Sequence, residues 1–144
     1  MTAKQYLQTY NRLERRYIAI TEQIKSIENE IISLKSPGFD ERVQNSPKND
    51  PIGEMVCNLE KEKGKLGIRM MECKTNMSII KSQIMQMENI NNDYYITLLF
   101  RYVLMKDWRF ICDTLHLSRT QANKVHGLAL ETFNDKFGDI YAER

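Results

Sequence analysis

Residues 107–130 read DWRFICDTLHLSRTQANKVHGLAL. Within that stretch Arg119, Thr120, Gln121, Asn123 and Lys124 follow one another closely, and Arg109 stands one helix earlier. These side chains share one chemistry that their types allow: hydrogen bonding to nucleic acid. Arg makes paired bonds to the edge of guanine and Asn or Gln to that of adenine, while Thr bonds either. Lys124 and Arg109 more naturally meet phosphates, which position a protein on a duplex without specifying sequence.

Two short helices must hold these groups. Asp107 is a candidate N-cap, and Ile111, Cys112 and Leu115 make the inward face of the first helix. HLS forms a turn in which Ser118 can cap the next helix by accepting a bond from a free backbone N–H. Ala122, Val125 and Ala129 then recur at spacings of three and four and face inward, leaving Arg119, Thr120, Asn123 and Lys124 outside and Gln121 and His126 at the margins. The pattern suits a helix-turn-helix, with Cys112 as the small residue where the helices approach and Leu117 and Val125 closing the core. One position departs from it: the first helix ends on His116, where glycine more easily takes left-handed backbone. The bland alternative is an ordinary helical pair with a solvated polar face.

Upstream, NINND supplies a helix break with Asn92 or Asp93 as N-cap. Tyr95, Leu98, Leu99, Tyr102 and Val103 then form an apolar face over about three turns. Aromatic residues gather from here on, with Trp108 a core anchor, so a domain boundary is expected near residue 91. Before it, Tyr6, Tyr10, Leu13, Tyr17, Ile20, Ile24, Ile27, Ile31 and Leu34 alternate by four and three. A second such seam runs through Ile52, Val56, Leu59, Lys63, Leu66, Met70, Cys73, Met77, Ile80, Ile84 and Met87. Residues 36–51 separate the seams and hold all three prolines, none of which fits a continuing helix. The expected fold is all-α: a long antiparallel coiled-coil hairpin over 1–91, joined by the 36–51 linker, then a helix-turn-helix domain over 92–144. Lys63, with Gly64 and Gly67 beside it, is the weak point of the second long helix. A strict heptad seam favours self-association, a dimer first.

Composition narrows the functional classes. No apolar run approaches the roughly 20 residues that cross a bilayer, and MTAKQYLQTYNRLERRY has no apolar signal core, so a cytoplasmic protein without membrane partners is expected. Cys57, Cys73 and Cys112 are odd in number and widely spaced, against a disulfide framework. Cys112 and His116 alone do not make a metal site. No glycine-rich phosphate loop, nucleophile elbow or clustered carboxylate pair is present, so neither enzymatic activity nor a cofactor is expected. The net charge is only +2, but between Arg101 and His126 five basic residues (Arg101, Lys106, Arg109, Arg119, Lys124) stand against two acids, Asp107 and Asp113.

Residues 94–133, YYITLLFRYVLMKDWRFICDTLHLSRTQANKVHGLALETF, resemble the C-terminal domain of small phage and prophage regulators with a sigma-factor region-four type helix-turn-helix, the ArpU, RinA and LtrC-like group. The aromatic lead helix, the W..I...L..S helix and turn and the closing H..AL..F carry the likeness. MTAKQYL, the coiled-coil middle and the RVQNSP linker resemble a coiled-coil-bearing branch of that group. The resemblance implies a bacterial-cell transcriptional regulator whose recognition helix, 119–133, enters the major groove of double-stranded DNA. It also opens direct contact with RNA polymerase. Arg119 and Lys124 are the only basic residues at the helix's reading end, fewer than sigma factors carry. Two alternatives stand beside this reading. One is a small-terminase-like DNA-packaging protein built as a ring. The other is a protein-interaction module that does not bind DNA, which the seven basic and seven acidic residues of 93–144 keep open.

Overall fold

The computed structural model describes residues 1–36 and 50–142; residues 37–49, most of the expected 36–51 linker, lie outside the described residues. The chain is all-helical, with no strand among the described residues. α1 spans Ala3–Leu34 and α2 spans Pro51–Gln86, followed by a 3-10 turn over Met87–Asn89. α3 spans Asn92–Leu98 and widens into a π-helical turn at Leu99–Val103; α4 spans Trp108–Leu115 and α5 spans Arg119–Ala142. No described helix is long and apolar enough to cross a membrane.

Two compact units share these helices, one of Met1–Glu14 with Thr75–Arg144 and the other of Arg15–Lys74. This division differs from the boundary expected near residue 91, and the reason is in the core of the first unit. Tyr6, Leu7 and Tyr10 of α1 and Ile80, Ile84 and Met87 of the α2 end are buried in one cluster with Leu98, Tyr102, Val103, Ala129, Phe133, Phe137 and Tyr141. The Tyr6 ring stacks on Tyr141 at 4.5 Å between centroids, and its hydroxyl donates to Oε1 of buried Gln83 at 2.7 Å. A short C-terminal helical domain cannot bury that much aromatic surface alone, so the first turns of α1 complete it.

In the second unit the seam positions of α1 and α2 are buried or half-buried throughout, Ile20, Ile27, Ile31, Leu66 and Cys73 most completely. Contacts pair rising residue numbers on α1 with falling ones on α2. The Lys74 ammonium lies 5.2 Å from the Tyr17 ring centroid, and Thr21 Oγ1 is 3.8 Å from Met70 Sδ. Lys63, the one charged seam member, places Nζ 3.1 Å from the Glu28 carboxylate. A half-buried ammonium on an apolar seam needs such a partner.

Local signals at the start of α3 moved by one residue. The cap is Asn91, whose side chain accepts from Asp93 N–H at 2.9 Å; Asn92 and Asp93 already lie inside the helix. Extended backbone at Asn91 (φ −160°) frees its side chain to reach forward. The stretch after it is not one regular helix of three turns. Leu104 N–H reaches back five residues to Leu99 O (3.0 Å), and Lys106 N–H reaches Phe100 O (2.7 Å) across Met105, held at φ 53°. Nor does the last helix stop at 133. α5 continues to Ala142 because Phe133, Phe137 and Tyr141 repeat at spacings of four on the face that meets the core.

Candidate nucleic-acid interface

α4 starts on Asp107, whose side chain accepts from Phe110 N–H at 2.8 Å. It ends at His116, which takes left-handed backbone (φ 56°, ψ 43°) despite its Cβ. Leu117 N–H then bonds back to Cys112 O at 3.0 Å, the six-to-one wrap of a Schellman ending. Two residues later Ser118 opens α5 through a reciprocal capping box. Gln121 N–H donates to Ser118 Oγ at 3.2 Å, and Ser118 N–H donates to Gln121 Oε1 at 3.0 Å. The left-handed residue and the box together fix the direction in which α5 leaves α4. Ile111, Ala122 and Ala129 are almost wholly buried behind them, with Cys112, Leu115, Leu117 and Val125 half-buried.

This frame leaves Arg119, Thr120, Gln121, Asn123 and Lys124 exposed on the first turns of α5, and Arg109 exposed on the first turn of α4. They are not equivalent. Gln121 spends its side-chain oxygen on the cap. Arg119 lies over the Trp108 ring with its guanidinium carbon 4.5 Å from the centroid. The side chains of Thr120, Asn123, Lys124 and Arg109 hold no hydrogen bond or ion pair among the described residues.

Trp108 is half-buried rather than a fully enclosed anchor. His126 meets it edge-on at 4.9 Å, and the Arg101 guanidinium lies over it at 5.1 Å. His126 Nε2 also shares a 2.7 Å hydrogen bond with the Tyr102 hydroxyl. Burial, then the positive charges of Lys4, Arg101 and Arg119, pushes the His126 pKa down to about 4, so the imidazole is neutral near pH 7. Burial pushes Tyr102 up to about 12, so the pair is uncharged on both sides.

In the sequence Arg101 and Lys106 stand out only as part of a basic surplus; the structure brings both to this ring cluster. Arg101 Nη1 donates to Lys106 O at 3.4 Å, and the Lys106 ammonium lies 5.0 Å from the Phe110 centroid. Cations standing next to aromatic residues were the available signal, but the π-helical turn that aims Arg101 has no residue signature. Cys112 and His116 join no cluster of three or more metal-ligating side chains among the described residues.

Compared with known proteins, the chain matches no family model, no curated protein and no solved structure.

Proposed function

We propose that the chain binds double-stranded DNA as a phage-type transcriptional regulator, with α4 and α5 as its helix-turn-helix. The first turns of α5 would enter the major groove. One observation carries the reading: the His116 turn and the Ser118–Gln121 box present Thr120, Asn123 and Lys124 side by side, exposed and with no side-chain partner among the described residues. Free polar groups on a rigidly oriented helix end are what base-edge recognition requires. The likeness to sigma region-four type regulators points the same way.

The opposite-running contacts between α1 and α2 support an antiparallel coiled-coil hairpin. In this reading the hairpin sets oligomeric state, a dimer that brings two recognition helices to half-sites on one face of the duplex.

The test is fluorescence anisotropy of labelled duplexes with the wild type and an Arg119→Ala, Lys124→Ala double variant, both checked as folded by circular dichroism. Wild-type binding that weakens steeply with salt, and fails in the folded variant, supports the proposal. Equal behaviour of the two proteins removes it and leaves an interaction module.

A further inference from the structure

We propose that Arg101, Lys106 and Arg119 form one phosphate-binding patch that takes the sugar–phosphate backbone of duplex DNA, Arg119 acting there and not at a base edge. The inference rests on the DNA-binding reading and assigns part of that interface to a different chemistry.

Arg101 and Arg119 share the Trp108 ring at 5.1 and 4.5 Å. Their charges therefore stand within about 10 Å of each other, one Debye length at 0.1 M salt, and repel. Lys106 adds a third charge over Phe110, whose ring packs at 5.5 Å on Phe100, the chain neighbour of Arg101. None of the three has an ion-pair partner among the described residues, where the salt bridges all lie between residues 22 and 63. Of the two acids between Arg101 and Arg119, Asp107 caps α4 and neither Asp107 nor Asp113 forms an ion pair among the described residues.

The chain is folded to produce this gathering. The π-helical turn and left-handed Met105 bring the Lys106 N–H back to Phe100 O and the Lys106 carbonyl under the Arg101 guanidinium. Positive φ at a non-glycine residue persists only where its surroundings hold it. His126, facing the same indole, is neutral near pH 7 and adds no charge of its own to the patch. α5 also begins on an arginine with no acid in its first turn, against the helix dipole, an arrangement that an incoming anion relieves.

Three unpaired cations held on rigid rings match a polyanion carrying about one charge per 1.7 Å of axis. A guanidinium held over a ring loses part of its side-chain freedom in advance and keeps its fork of donors for a paired bond to phosphate. Arg119 is held against Trp108 of α4 by its contact with the ring, which leaves base reading to Thr120 and Asn123.

The experiment measures affinity across a salt series on two unrelated duplexes for the wild type, Arg101→Ala, Arg101→Gln, Lys106→Ala, Arg119→Ala and the control Lys136→Ala. Arg101→Gln keeps most of the side-chain stem if the alanine variant folds poorly. Each patch variant should flatten the plot of log affinity against log salt by about 0.9 and weaken both duplexes by the same factor, while Lys136→Ala leaves the slope alone. Emission from Trp108, the only tryptophan, should change as duplex binds. Wild-type slopes in Arg101→Ala, Arg101→Gln and Lys106→Ala, or a loss in Arg119→Ala confined to one duplex, would overturn the patch while leaving DNA binding intact. No binding of either duplex by the wild type at low salt would instead remove the DNA reading and the patch together.

Discussion

Replacing Leu7 by Ala tests whether the first turns of α1 belong to the same folding unit as α4 and α5. Leu7 has no exposed surface and sits in the cluster with Phe133 and Tyr141, 126 or more residues later in the chain. Truncation removes its transfer energy and leaves a cavity walled by rings that cannot collapse freely, a loss of about 3 kcal/mol. For a cooperative unit of roughly 60–100 residues, each kcal/mol shifts the melting midpoint by about 4–8 °C. A fall of about 12–24 °C is therefore expected. The assay is thermal unfolding followed by Trp108 emission, since this ring lies far from Leu7 in sequence but within the unit that holds it. An unchanged Trp108 midpoint, with loss seen only by far-ultraviolet circular dichroism, would refute the reasoning and restore an independent C-terminal domain.

Other outcomes follow from single positions. His126 has a folded pKa of about 4, below its ordinary 6.5, so the unfolded chain binds the proton more readily. Its contribution is complete above pH 6.5 and lost as pH falls toward 4. After discounting for partial exposure it is about 1–2 kcal/mol, visible as a falling urea midpoint that His126→Phe should flatten. Gly64 and Gly67 have open space where a Cβ would stand, so Gly64→Ala and Gly67→Ala should each stabilise by about 0.5–1 kcal/mol in thermal melts. His116→Val should cost about 1–2 kcal/mol, whereas His116→Gly should cost nothing, because only the former worsens left-handed backbone. The hydroxyl of Thr97 is buried with no hydrogen-bond partner, so Thr97→Val should stabilise by about 1 kcal/mol in denaturant titration.

Much of the helical plan was legible because it depends on local periodicity. The alternating four-three spacing from Tyr6 to Leu34 marks the buried side of α1, and Asp107 and Ser118 declare two helix starts through their side-chain oxygens. What depended on distant partners was not. Tyr6 and Leu7 look like any other seam residues, and only the folded chain shows them against Phe133 and Tyr141. The π-helical turn at Leu99–Val103 adds a residue without changing composition, which hid the placement of Arg101 beside Trp108. On α5, a helical wheel shows which residues face outward but not what they bond. It could not separate Gln121, spent on a cap, or Arg119, laid on an indole, from Asn123 and Lys124.

The most direct test of the DNA-binding account is amide hydrogen exchange of the full chain with and without duplex DNA. The account predicts protection concentrated in two segments, residues 101–109 and 118–126, with the second strongest at Thr120, Asn123 and Lys124. Protection confined to residues 15–74, or none in either segment with duplex bound, would contradict it.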